Sequence, residues 1–196
     1  MQSFSEFLIE NTNTYQFYHG GNLDITTQGT LSPSDLTKVP KSKRIEYGPG
    51  LYLTTSSQVV EKYAKGSRKV YLLTVQKGND ISKVKIDFDK IDELSSTIGK
   101  SKTKLLKNKL EERFVENGKV LAYVVLNILL NESLLKTEKA RKGIKDFLVA
   151  SGVDYELHQS PFGWGESMMV LFNLSLIKNA KVIDRKEVVK DLPRVK

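Results

Sequence analysis

None of the 196 residues is a cysteine, which excludes both a disulfide framework and a thiolate zinc site, and suits a reducing cytosol. Two histidines in total are too few for a multi-histidine metal centre, so no metal is expected. The longest apolar run, Val120 to Leu130, is broken by Asn127 and falls short of the roughly 20 residues a membrane-spanning helix needs. The N-terminus has no basic stretch followed by an apolar core, so a standard secretion signal is not expected. Proline is scarce, and Pro33, Pro40 and Pro49 all fall in one early stretch. There is no internal repeat and no low-complexity linker to divide the chain. A single domain is expected, large enough to bury about 70% of its extended surface.

Positive charge is abundant. The net charge is +8, with clusters at Lys38–Arg44, Lys100–Lys109 and Lys136–Lys145. Such clusters attract nucleic acid or an acidic partner, but lysine-rich helices also use them simply to keep a face solvated. Glu111, Glu112 and Glu138 lie among them and favour the second reading.

Hydrophobic periodicity divides the chain into strands, helices and strands again. Strands are expected at 15–19, 50–54 and 69–76, with a helix at about 56–65 whose N-cap is Thr55 or Ser56. Residues 21–49 read as mostly loop, with a turn of helix near 34–38. Apolar residues at three-to-four spacing predict helices at 87–97, 102–117, 118–131 and 133–150, and strands return at 153–158, 167–173 and 180–184. That order argues for an α+β fold rather than a βαβ repeat.

Two short segments concentrate the chemistry. Tyr18-His19-Gly20-Gly21 is a strand end running into glycines. About thirty residues on, Tyr47-Gly48-Pro49-Gly50-Leu51-Tyr52 joins a glycine turn to the next strand. Glycine turns let backbone N–H groups approach a flat ligand closely. Tyr63 follows Tyr52 by eleven positions, on the next helix. A strand tyrosine and a helix tyrosine at that interval can face each other across a planar ring.

This pattern resembles the ADP-ribosyltransferase superfamily, in the His-Tyr-Glu branch of diphtheria toxin and the poly(ADP-ribose) polymerases. His19, Gly20, Gly48, Gly50, Tyr52 and Tyr63 match that branch residue by residue, and the likeness covers roughly residues 15–76 and 153–184. The resemblance implies a split mixed or antiparallel sheet around an NAD cleft, with the helical block at about 87–150 inserted beside it. It implies that His19 binds a ribose hydroxyl, that the Gly20 backbone meets the carboxamide, and that Tyr52 and Tyr63 stack on the nicotinamide. The family often carries a serine three residues before the second tyrosine. Val60 stands there, leaving Thr54 and Ser56 as polar substitutes.

The acid of the triad is less plainly placed. Ungapped comparison puts Met168 or Met169 at its position, with Glu166 two or three residues earlier. Either a bulge or small shifts bring Glu166 to the site as a catalytic residue with His19 and Tyr52, or the triad has lost its acid. A carboxylate is wanted there because breaking an N-glycosidic bond develops positive charge on the sugar. Phe162 and Trp164, in the loop before that strand, occupy the place of the family's substrate-recognition loop. His158 reads as a second polar group beside them, not as a base.

Within residues 1–10, positions 3–10 read as a short amphipathic helix with Phe4, Phe7 and Leu8 on one side. It resembles the capsid-targeting peptides of large tailed phages, with Leu8-Ile9-Glu10 as the processing site. The expectation is therefore a targeting peptide at 1–10 and one transferase-like domain at 11–196, carried in a phage head and then acting in the host cytoplasm without a membrane partner. Its reaction would be NAD-dependent mono-ADP-ribosylation of a host macromolecule, with a protein acceptor favoured over a nucleic acid. The rival expectation is a binding module that keeps the fold without catalysis.

Overall fold

The computed structural model describes residues 13–23, 25, 26, 31, 47–64, 69–159, 166–188 and 190–195. The expected helix at 3–10, the turn near 34–38 and the loop residues Phe162 and Trp164 lie outside the described residues.

Six strands form one sheet in the order β6-β7-β2-β1-β3-β8. They are β1 (Thr14–Gly21), β2 (Leu51–Thr54), β3 (Lys69–Gln76), β6 (Tyr155–Gln159), β7 (Ser167–Leu171) and β8 (Ile177–Ile183). Every neighbouring pair in it is antiparallel. Side chains alternate between the two faces, as a strand's two-residue period requires. Phe17, Leu53, Tyr71, Leu73, Met169 and Leu171 share one buried cluster. On the opposite face Tyr18 and Val70 pack with Val60 of helix α1 (Ser57–Tyr63) and with its C-cap Ala64.

The central segment builds a second core. It holds α2 (Ser95–Ile98), α3 (Lys100–Glu111), α4 (Ala122–Asn131) and α5 (Glu138–Ala150). Leu106, Leu110, Val125, Leu129, Ile144 and Leu148 meet at its centre, and Val170 and Phe172 join them from the sheet side. Helix α5 begins where Thr137 caps it, its Oγ1 accepting from the Ala140 N–H at 3.1 Å; such a cap contributes about 1 kcal/mol.

Four helix expectations need correction. Helix α3 stops at Glu111 rather than 117, and beyond it Asn117 (φ 51°) and Gly118 (φ 72°) reverse the chain through left-handed conformations. Residues 119–121 are then strand, not helix: β5 (Lys119–Leu121) pairs with β4 (Lys85–Asp87), with Val120 buried between exposed Lys119 and Leu121. That period of two is hidden at the head of the apolar run that continues as α4. The expected helix at 87–97 is mostly a 3₁₀ turn over Phe88–Leu94. The last one starts five positions late, since Ser133 (φ 54°) is a turn residue and Thr137 is the cap.

Helix α1 lies directly on Gly20. A Cβ there would stand 2.8 Å from the Val60 carbonyl oxygen and 2.9 Å from the Ala64 nitrogen, both backbone atoms. Gly20→Ala must therefore push α1 off β1, at a cost of about 1–3 kcal/mol for overpacking. Thermal unfolding should shift down by about 2–4 °C for each kcal/mol in a chain of this size. An unchanged melting temperature would mean that α1 is not seated on β1 as described.

Candidate functional site

Strand β1 pairs with β3 along its whole length, from Thr14↔Gln76 to Gly21↔Lys69. Its other edge behaves differently. Against β2 only Tyr18↔Thr54 is in register, and β2 follows β7 from Leu51↔Leu171 to Thr54↔Met168. Past Tyr18 the two strands therefore part, at the level of His19, Gly20 and Tyr52. A parted edge leaves backbone groups without their ladder partners, and these must be met some other way.

The His19 imidazole meets one of them. Its Nδ1 lies 3.0 Å from the Tyr52 carbonyl oxygen. A carbonyl can only accept, so Nδ1 carries the proton. The ring is 6.2 Å from that of its cross-strand neighbour Tyr71. Gly21 makes room for it, since a Cβ on Gly21 would stand 2.5 Å from His19 Nε2.

The Tyr52 side chain turns back onto the preceding loop. Its hydroxyl donates to the Gly48 carbonyl and accepts from the Tyr47 N–H, both at 3.1 Å, while the ring packs against the helical core. Gly48 has φ 122°, a conformation only glycine adopts without strain. At Gly50 the close approach is to β7, because a Cβ would stand 2.7 Å from the Leu171 carbonyl oxygen. Thr54 Oγ1 accepts from the Ser56 N–H, and Ser56 caps α1 by accepting from the Val59 N–H. Both hydroxyls offered in place of the missing serine thus take part in starting this helix, and Val60 is buried beneath it.

Tyr63 ends α1 with 56% of its surface exposed, and its backbone lies against Gly20. The structure thus brings the Tyr52 backbone carbonyl to the His19 ring and the Tyr63 backbone to Gly20 around the parted strands. Glu166 stands just before β7. Its neighbour Ser167 is tied to Thr55, N–H to Oγ1 at 2.8 Å and carbonyl to N–H at 3.0 Å. Glu166 is half-buried at the level of the start of α1. Val170, the partner of Tyr52, is four residues further along β7, or about 13 Å at the usual strand rise. Tyr18, in the register pair that joins β1 to β2, has its phenol pushed up from the ordinary value, by burial first and by the Asp191 carboxylate second.

One group was not anticipated. Glu156 on β6 is 5% exposed. It stands opposite Val170, which in turn stands opposite Tyr52, so the three side chains share one row on one face of the sheet. His158 occupies the next row, and its ring lies 4.4 Å from that of Tyr47. In the sequence Tyr155-Glu156-Leu157-His158, alternation reads Glu156 as a solvent-facing residue, and nothing local signals its burial.

Among the described residues no group of histidines and carboxylates could hold a metal ion, and no helix is long and apolar enough to cross a membrane. No family model, no curated protein and no solved structure matches the chain.

Nitrogen-15 NMR of the imidazoles tests the geometry. His19 should show a protonated Nδ1 at neutral pH, held by the Tyr52 carbonyl. An unprotonated Nδ1 would mean that the ring does not bridge the parted strands.

Proposed function

We propose that the chain is an NAD-dependent mono-ADP-ribosyltransferase that releases nicotinamide and modifies a host macromolecule, a protein in the first instance. The observation that carries this reading is the parting of β1 from β2 after the single register pair Tyr18↔Thr54, with His19 bridged to Tyr52 at its edge. The motif residues His19, Gly20, Gly50, Tyr52 and Tyr63 border that opening from four elements. Their fit to a flat, polar ring rests on the exposed Tyr63 beside the unsubstituted Gly20.

In this reading Tyr63 covers one face of the nicotinamide and Tyr52 forms the wall held by the 47–50 loop, so the two orient the ring. Offset stacking contributes about 1 kcal/mol beyond area burial. His19 positions the ribose, and Glu166 supplies the fixed negative charge that favours a sugar becoming cationic as its bond to nicotinamide breaks. By the resemblance, Phe162 and Trp164 belong to the loop that recognises the acceptor. Residues 1–10 direct the protein into the phage head before it reaches the host cytoplasm.

A specific observation favours a second reading. The separation of Glu166 from the level of Tyr52, about 13 Å along the strand, suits a binding module that keeps the fold without turnover. Nicotinamide release from NAD separates the two.

Tyr63→Ala is the informative variant, because an exposed side chain at a helix end can be truncated with little effect on stability. Its nicotinamide release should fall at least about tenfold, equivalent to about 1.4 kcal/mol, with an unchanged melting temperature. Glu166→Gln should lower kcat by about 10²-fold while NAD affinity changes little. Wild-type rates in Tyr63→Ala would remove the cleft assignment, and no release by the wild type would leave the binding module.

A further inference from the structure

Residues 190–195 run across the end of the sheet where its two halves meet, β1 with β3 and β8 on one side and β2 with β7 and β6 on the other. The first half is held at the start of the segment, where the Tyr18 hydroxyl donates to the Lys190 carbonyl at 3.1 Å. The second half is held along the rest. The Leu192 N–H donates to the carbonyl of Thr55, just past β2, at 2.8 Å. The Asp191 carboxylate accepts from the N–H and the hydroxyl of Ser57, at 2.7 and 2.9 Å. Farther on, the Val195 N–H donates to the Ser167 hydroxyl at 3.2 Å, and its carbonyl accepts from the Gln159 side chain at 2.9 Å. Gln159 and Ser167 are a register pair of β6 and β7, so Val195 is fastened to both strands.

The apolar side chains of the segment anchor it on both faces of the sheet. Leu192 packs against the cluster of Tyr18, Val60 and Val70. Val195 is buried in the opposite cluster, with Phe17, Leu53 and Met169. The segment therefore wraps round the sheet end, and between its two anchors Pro193 and Arg194 are exposed. Pro193 fixes one backbone angle, which reduces the entropy lost when the segment docks. The direct join between β1 and β2 is thin by comparison: one register pair and the bond from His19 to the Tyr52 carbonyl. A segment held by two apolar side chains and a few hydrogen bonds opens locally far more readily than β3, which is paired along both edges.

We propose that residues 190–195 are a latch on the opening between β1 and β2. Docked, they hold the two halves of the sheet at their present separation. Released, they let the halves part further at the level of His19. The latch belongs to the fold and stands whether or not the opening receives NAD.

Amide hydrogen exchange followed by NMR tests this in the full chain. In the wild type the Leu192 and Val195 amides should exchange at least about tenfold faster than those of Leu72 and Leu73 in β3, because the segment undocks while the sheet stays folded. Val195→Asp places a carboxylate in the buried seat and should release the segment. Exchange should then rise at least about tenfold in Tyr18–Gly21 and at Thr55 and Ser167, with β3 and α3 unchanged. The Thr55 and Ser167 amides are the informative pair, since each bonds to the other residue across β2 and β7. Asp191→Ala, at an exposed position, is the milder release should Val195→Asp fail to fold, and the same amides should respond. Unchanged exchange in Tyr18–Gly21 once the Leu192 amide is freed would leave the segment without a hold on the opening. Equal loss of protection in β3, or wild-type Leu192 and Val195 amides as slow as those of β3, would make it part of the global fold. Any of these results overturns the proposal.

Discussion

A single pair of residues, Tyr18 and Thr54, holds β1 to β2 and sets the form of everything around them. On one side of this joint β1, β3 and β8 form one paired ribbon; on the other, β2, β7 and β6 form a second. Had the two ribbons stayed in register, their edges would have satisfied each other and left no backbone group to recognise. Because they part at His19, the imidazole takes over a ladder bond, and the glycines at 20 and 21 become necessary, one to seat α1 and the other to admit the ring. The joint is stabilised from outside by the C-terminal segment, where Tyr18 donates to the Lys190 carbonyl and Asp191 accepts from Ser57 at the start of α1.

Part of the basic charge of the helical segment is matched within it. Lys107 pairs with Asp92, Lys109 with Glu132 and Lys142 with Asp146. Exposed pairs of this kind contribute little to stability, about 0–1 kcal/mol each. They do, however, divide the charge into local pairs, which weakens the case for a continuous stripe that tracks a phosphate backbone.

The strands that frame the opening were legible because they obey local rules. Tyr15 to His19 and Val70 to Val75 alternate between faces, and glycines mark the ends where the chain must turn or approach another element. The β4–β5 pair was not legible. Its strands lie far apart in sequence, and Val120 stands at the head of an apolar run that reads as one helix. Motif matching gave the positions of His19, Gly20, Tyr52 and Tyr63, but not what each touches. Gly50 faces β7, and the Tyr52 hydroxyl is held by its own loop. Glu156 escaped notice for a physical reason: β6 is an edge strand whose polar alternation suggests water on that face, while the burial comes from parts of the chain remote in sequence.

The central claim is that NAD enters where β1 and β2 part. Hydrogen exchange of the backbone amides, with and without NAD, tests it most directly. Exchange should slow in Tyr18–Gly21, in Gly50–Thr54 and at the end of α1 from Val60 to Ala64, and remain unchanged along α3. Protection confined to the helical segment, or none in the three stretches that border the parted strands, would contradict the account.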